Sequence, residues 1–385
     1  MDVIIQSLNE IEKAVSSGNI NPPPVQYRND VDTRLANKIP KIKILGIGGA
    51  GNNTVTNLML SKVSHAEIIA VNTDAKQLLA SKAHKKILIG EETCGGFGAG
   101  SDPRVGEAAA LESREILEKT IKGTDLLFLT CGLGGGTGSG ATPVIAKLAQ
   151  EMGVLTVTVC TLPFSAEGFK KMEIAAQALK KLIPVSNTIV IIPNDKLLQI
   201  DPKATLLKAF AMADDILVKA VIGIVDLVTK TGKVNVDFAD VRKVLNYGGT
   251  AVIGIGEADG SSTNRAELAI TKALTNPLID ARFETAKAAL VNITGGEDIT
   301  LEETATIIGL LGGLIDKKAE IKWGAFIDDD LRGKLRVTVM MAGIELPYLD
   351  NEGNLIYPAI LRRGNQIKLR EKIKEILGAN AEYLE

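Results

Sequence analysis

The chain has 385 residues, of which 45% are hydrophobic and 23% charged, with a formal net charge of −2; that can bury two ordinary cores and shows no global bias toward nucleic acid. Aromatic residues make up only 4%, with a single Trp at position 323, so stacking platforms for single-stranded nucleic acid are lacking. No run of about 18 apolar residues occurs, and the first residues lack a signal peptide's cationic start and apolar stretch, which together predict a cytoplasmic protein with no integral membrane segment. The three cysteines, Cys94, Cys131 and Cys160, are odd in number and lack metal-ligand spacing, in keeping with a reducing compartment.

Residues 1–15 place Ile4, Leu8, Ile11 and Val15 on one helical stripe, followed by a linker containing Pro22, Pro23 and Pro24. This arm reads either as a segment packed on its own body or left mobile, or as a partner-docking helix. Its polar face carries Asp2, Glu10 and Glu12 against Lys13, which argues against attraction to anionic lipid.

From Lys41 to Pro193 the pattern alternates strand and helix. Strands are expected near Ile42–Leu45, Glu67–Asn72, Lys86–Ile89, Asp125–Thr130, Val154–Thr161 and Thr188–Pro193. Such alternation predicts a parallel, doubly wound sheet. The common strand order 3-2-1-4-5-6 puts strands one and four side by side, with ligands bound outside their carboxyl ends. Those two strands carry the chain's two glycine loops, GIGGAG (Gly46–Gly51) and GLGGGTGSG (Gly132–Gly140). Glycine loops opening a helix bring backbone N–H groups and the positive end of the helix dipole close to a phosphate chain. A pair of them implies a polyphosphate gripped from two sides.

Taken alone, the first loop fits G-x-G-x-x-G, with Asp74 after the next strand, and reads as a nicotinamide-binding fingerprint. The second loop argues against a dehydrogenase, and His65 and His84, the only histidines, lie on surface connections with no proton to handle. No G-x-x-x-x-G-K-[ST] is present, so amides, helix dipoles and a metal must offset the phosphate charge.

A long amphipathic helix is expected over Thr205–Thr231, about 40 Å in length. It leads into GKVNVDFAD, which presents Asn235, Asp237 and Asp240. Two readings stand: Asp237 caps a helix starting at Phe238 with Asp240 in its first turn, or these polar groups act in catalysis. Thr250–Ile344 reads as an α+β unit with strands at Ala251–Gly256, Ala288–Thr294, Glu320–Ile327 and Lys334–Ala342. Its helices are expected near Asn264–Leu274 and Leu301–Leu314, the latter opened by a capping box of Thr300 and Glu303. After Pro347, a helix near Gln366–Leu377 combines Leu369, Ile373, Ile376 and Leu377 with Arg362, Arg363, Lys368, Arg370, Lys372 and Lys374 around it. A basic amphipathic end of this kind binds a membrane or adaptor, or packs on its own body.

GGGTGSG closely resembles the tubulin signature loop. Together with GGAGNN (Gly48–Asn53), VNTDA (Val71–Ala75), GAG (Gly98–Gly100), PFSAEG (Pro163–Gly168), IPND (Ile192–Asp195) and NVDFADV (Asn235–Val241), it makes the chain resemble FtsZ, the tubulin-like GTPase of prokaryotic cell division, with an archaeal character, from about Lys41 to Ile344. The resemblance implies a tubulin/FtsZ-like α/β fold, in which a doubly wound parallel-sheet GTPase domain is joined by a long central helix to a smaller α+β domain. The corresponding divisions are 1–38 (helix and linker), 39–204 (GTP-binding domain), 205–231 (central helix), 232–345 (catalytic loop and α+β domain) and 346–385 (tail).

It also implies a GTP/GDP site made of Gly48, Gly49, Ala50, Gly51, Asn52, Asn53, Asp74, Gly132, Gly134, Gly135, Gly136, Thr137 and Gly138, with Ala99 and Gly100 closing over the γ end. Glu167 would hold the ribose, Phe210 would stack on the base, and Asn53, Asn194 and Asp214 would read its edge, a carboxylate suiting guanine because adenine lacks the matching donors. Lys171 stands where the family usually has arginine, which keeps the charge but loses the bidentate fork. Mg²⁺ would enter on the phosphates, with no side-chain ligands assigned. Asn235, Asp237 and Asp240 would act on the next subunit's GTP in a head-to-tail homopolymer beneath the membrane at the division site. A membrane adaptor or other division proteins would attach through the termini, although the bacterial family's short adaptor-binding peptide is not recognisable. A related paralogue governing cell shape or scaffolding is the alternative, and an NAD-dependent oxidoreductase a remote one.

Overall fold

The computed structural model describes residues 40–61, 63, 65–230, 232–260, 264–350, 352–356 and 366–377. The expected N-terminal helix, its proline linker, Arg362 and Arg363 lie outside the described residues. All ten expected strands form, and they join one ten-stranded sheet.

In chain order, β1 (Ile42–Ile47) runs directly into α1 (Gly48–Leu60), followed by β2 (Ala66–Asn72), α2 (Ala75–Ala80), β3 (Lys85–Leu88), α3 (Pro103–Glu112) and α4 (Arg114–Ile121). Next come β4 (Leu126–Gly132), α5 (Gly136–Glu151), β5 (Leu155–Leu162), α6 (Phe169–Leu182), β6 (Thr188–Pro193) and α7 (Asn194–Ile200). The long helix α8 spans Leu206–Thr229, and α9 spans Phe238–Leu245. The remainder is β7 (Thr250–Asp259), α10 (Arg265–Leu274), β8 (Ala288–Gly295), α11 (Leu301–Leu314), β9 (Glu320–Ile327), β10 (Lys334–Ala342) and α12 (Gln366–Leu377).

The sheet order is β3-β2-β1-β4-β5-β6-β7-β10-β8-β9. Its first six strands are parallel and follow the expected doubly wound order. Every residue of β5 and β6 is buried, the continuous apolar run of a strand covered on both faces. Alternate side chains feed two cores. Ile44, Phe128 and Val157 meet α1, α8 and α9 on one face, while Leu45, Leu127 and Cys131 meet α3, α5 and α6 on the other.

The expected α+β unit does not start a separate sheet. β7 pairs in parallel with β6 at Ile189↔Thr250 and Val190↔Ala251, and β10 then lies antiparallel to both β7 and β8. The capping box forms: the Glu303 carboxylate accepts from Thr300 N at 2.9 Å, and Thr300 Oγ1 accepts from Glu303 N at 3.2 Å.

Helix α8 starts at its Thr205 cap and ends two residues before its expected limit, where Lys230 takes an extended ψ of 141°. Its length is about 36 Å. Helix α12 packs on α11, with Ile373 buried and Leu369 and Leu377 against the core. Gly313 of α11 leaves room for Ile376, whose Cδ1 would lie 3.0 Å from an added Cβ. The helix thus packs its apolar side on its own body.

A buried ion pair also joins the two halves of the sheet: Lys196 Nζ on α7 lies 2.7 Å from Asp280 Oδ2 before β8, with the side chains 1% and 9% exposed. Removing one partner of such a pair leaves a buried charge uncompensated. Lys196→Ala is therefore expected to cost about 3–5 kcal/mol, read as a lowered urea midpoint at pH 7.

Candidate functional site

The site begins where β1 and β4 end. The two strands are paired from Ile42↔Leu126 to Ile47↔Cys131, so α1 and α5 start beside one another. Neither helix has a side-chain cap, because Ile47 and Gly135 occupy the cap positions. Their first-turn N–H groups are thus left for a ligand. Gly48 adopts φ 71°, and a Cβ there would sit 2.9 Å from Gly138 N. Gly51 lies over β4, where a Cβ would come within 2.4 Å of the Thr130 carbonyl. Only glycine lets the two loops approach this closely.

The loops face a cleft of about 520 Å³ lined by Gly49, Ala50, Asn53, Asp74, Ala99, Gly100, Gly132, residues 134–138, Glu167, Lys171, Asn194, Phe210 and Asp214. The structure thus brings most of the expected nucleotide residues together. Gly48, Gly51 and Asn52 are not among the lining residues; they shape the loop from beneath. The Asn52 amide is 1% exposed, and with its nitrogen turned toward the loop it donates to Gly46 O at 2.9 Å and accepts from Asn72 Nδ2 at 3.0 Å. Thr137 Oγ1 pairs with Thr73 Oγ1 at 2.6 Å, tying the second loop to the end of β2. Asp74 caps α2 by accepting from Gln77 N at 2.9 Å, so the acid that a dinucleotide fold would turn to a ribose is engaged locally.

Several lining residues carried no signal in the sequence, Gln77 and Phe97 among them. Gln77 accepts from Asn72 Nδ2 at 2.9 Å, and its Nε2 lies 2.8 Å from where a Gly49 Cβ would be. Phe97 lines the cleft and is 92% exposed. Neither belongs to a recognisable spacing, because each reaches the cleft only through the packing of α2 and the 95–101 loop.

At the other end of the cleft, Asn194 opens α7. It is 5% exposed, and its Oδ1 is buried with no hydrogen-bond partner among the described residues. A buried unpaired oxygen is costly unless a ligand donor meets it. Phe210 on α8 packs edge-on against Phe164, with ring centroids 5.3 Å apart at 89°. One turn further on, Asp214 is desolvated, and burial pushes its carboxyl up to about 6. Glu167 accepts from Phe164 N at 2.9 Å and pairs with Lys171 Nζ at 2.9 Å.

The third expected group lies elsewhere. Asn235, Asp237 and Asp240 are absent from the cleft lining. Asp214 lines the cleft, and about 22 Å of helix separates it from Thr229, after which the loop begins. Asp237 occupies the cap position of α9 yet makes no side-chain cap hydrogen bond. Asn235 Oδ1 accepts from Gly232 N at 2.6 Å, and Asp240 Oδ1 pairs with Lys322 Nζ at 2.9 Å.

Comparison with known proteins matches residues 41–202 to the GTPase domain of the Tubulin/FtsZ family and residues 249–345 to the FtsZ family C-terminal domain. The cell division protein FtsZ of Methanothermobacter thermautotrophicus is 46% identical over 353 residues, 91% of each chain. An empty FtsZ dimer from M. jannaschii superposes with a TM-score of 0.77 at 46% identity, covering 81% of this chain and 90% of that one. A GTPγS-bound protofilament of CetZ2 from Haloferax volcanii, 23% identical with a TM-score of 0.70 over 88% of this chain and 100% of that one, shares the fold.

The raised Asp214 carboxyl has a pH consequence. A purine that presents N–H donors to it favours the charged form, so the free protein takes up a proton at higher pH than the complex does. Guanine-nucleotide affinity is expected to be flat above pH 7 and to weaken below about pH 6 by up to about tenfold per unit. Calorimetric titrations of parent and Asp214→Asn from pH 5 to 8 check this, since the substitution removes that part of the slope while the nucleotide's own phosphate titration is common to both.

Proposed function

The chain belongs to the Tubulin/FtsZ family, and from that premise we propose that it is a cell-division GTPase whose hydrolytic centre is completed between successive subunits of a filament. One observation carries this reading: the loop with Asn235, Asp237 and Asp240 sits beyond the far end of α8 from the cleft. Three carboxylates do line the cleft, but each is engaged otherwise. Asp74 caps α2, Glu167 pairs with Lys171, and Asp214 lies beside the base-platform residue Phe210.

In the proposed arrangement the amides of α1 and α5 hold the triphosphate. Glu167 takes the ribose, Phe210 stacks on the base, and Asn194 Oδ1 and Asp214 accept the N–H donors of guanine. Mg²⁺ bound with the nucleotide would supply positive charge against the charge that develops in phosphoryl transfer. Among the described residues no cluster of three His, Cys, Asp or Glu can hold a metal. Asp74 and Gln77 line the cleft and would be the side chains to hold such an ion through water. From the next subunit, Asn235 and Asp240 orient the attacking water, and Asp237, whose carboxylate makes no cap hydrogen bond, receives its proton.

A head-to-tail contact of this kind is heterologous, and when its rotation does not close it generates a filament. Exposed apolar side chains in segments bordering the cleft, Phe97, Phe169 and Leu207, are 92%, 75% and 83% exposed. They give the rim of the cleft an apolar surface for that contact. Residues 39–204, 205–231 and 232–345 would act as nucleotide holder, strut and catalytic-loop carrier. No helix among the described residues is long and apolar enough to cross a membrane. Attachment at the division site would pass through an adaptor or other division proteins bound at the termini.

GTP turnover per subunit should rise sharply with protein concentration above an assembly threshold seen in parallel by electron microscopy. Asp237→Ala should bind GTP within about twofold of the parent while turnover falls by about 10²–10⁴. A rate per subunit independent of concentration would mean that each monomer is a complete enzyme.

A further inference from the structure

The loop that follows α8 is not held by its own turns alone. It lies along β9, the edge strand of the sheet, whose other side is paired with β8. Lys233 N donates to Ala325 O at 2.9 Å, and Ala325 N donates to Val234 O at 3.0 Å. Gly232 makes this approach possible, since a Cβ there would fall 2.3 Å from the Ala325 carbonyl. Three residues before Ala325 on the same strand, Lys322 Nζ reaches Asp240 Oδ1 at 2.9 Å and Glu320 Oε1 at 3.2 Å. Glu320 in turn holds Lys243 Nζ at 2.7 Å and accepts from Tyr247 Oη at 3.3 Å. The result is an alternating ladder, Asp240–Lys322–Glu320–Lys243, that ties the first turn of α9 to the sheet edge.

We propose that Lys322 is a positioning residue for GTP turnover in the neighbouring subunit: anchored by Glu320, it fixes the Asp240 carboxylate on the edge of β9 and offsets its charge as the loop meets a triphosphate. The proposal rests on the reading that this loop completes the next subunit's site. Two bare carboxylates brought to a polyphosphate repel it, and an ammonium already bound to one of them reduces that repulsion. A side chain shared between two partners also loses less freedom per contact than one in an isolated pair. Burial does not carry this effect, because Lys322 and Asp240 are 29% and 36% exposed. The test therefore reads turnover and not folding.

The full chain is compared with Lys322→Met, Lys322→Arg, Asp240→Asn and the Lys322→Met/Asp240→Asn double variant. GTP turnover per assembled subunit and GTP binding to unassembled protein are measured for each. Where Lys322→Met raises the assembly threshold, its rate is read in filaments with parental protein in excess, where each variant loop faces a parental nucleotide. Lys322→Met is expected to lower turnover by about tenfold with nucleotide affinity unchanged. Lys322→Arg should recover most of the rate, and the double variant should be no slower than Asp240→Asn alone. Parental turnover in Lys322→Met beside a slow Asp240→Asn would overturn the role of Lys322 and leave the shared-site reading standing. A double variant slowed by the product of the two single effects would do the same. Parental turnover in Asp240→Asn would remove the loop's catalytic role and this proposal together.

Discussion

Strands β1 and β4 are hydrogen-bonded neighbours along their length, Ile42 opposite Leu126 and Ile47 opposite Cys131, and that pairing decides where two helices begin. With no linking residue between β1 and α1, and only three between β4 and α5, both helix N-termini open at the same end of the sheet. Each presents uncapped N–H groups and a partial positive charge to the same crevice. This substitutes for the phosphate-binding lysine that the chain lacks. The arrangement tolerates almost no side-chain volume, as the 2.9 Å approach of a Gly48 Cβ to Gly138 N makes plain. Polyphosphate binding here is a property of strand order more than of any single side chain.

Helix α8 imposes the complementary constraint. Its first half supplies Phe210 and Asp214 to the cleft, while Leu217, Val221, Ile224, Val225 and Leu227 bury its length against the sheet. A helix packed in this way cannot bend back on itself, so the loop at its far end cannot reach the phosphates of its own chain. The continuous sheet adds stiffness, because β7 pairs with β6 and the buried Lys196–Asp280 pair bridges the same junction. The distance between nucleotide and loop is thereby set by covalent geometry and two hydrophobic faces.

Strand positions and their order were legible because strands covered on both faces read as unbroken apolar runs between glycine and proline signals. The glycine loops were legible for the same local reason. What sequence spacing misses is pairing between distant segments. Nothing in IKWGAF announces that Lys322 meets Asp240, or that Ala325 holds the loop that carries Asn235. The union of the two sheet halves depends on two rungs at Ile189 and Val190, too short a pairing to leave a pattern. Asn52 shows the converse: its place in a phosphate motif implied ligand contact, yet its short side chain is turned back to satisfy the loop's own carbonyl groups. Capping and catalysis made equal claims on Asp237 in the sequence, and the absence of a cap hydrogen bond leaves its carboxylate available.

The first turn of α7 links two walls of the cleft. Successive side chains on a helix diverge by about 100°, so neighbours in the motif IPND face different ways. Asn194 turns its unpaired Oδ1 into the buried wall of the cleft. Asp195 instead accepts from Ser165 N at 3.0 Å and from Ser165 Oγ at 2.5 Å. Ser165 begins the turn that carries Glu167, and Phe164 before it supports Phe210 edge-on. Residues 194 and 195 thus set three cleft-lining side chains, Asn194, Glu167 and Phe210, relative to one another. Asp195 contributes although it is not among the cleft lining. Displacing it would shift the Glu167 turn against Asn194, because both hang from the same helix start.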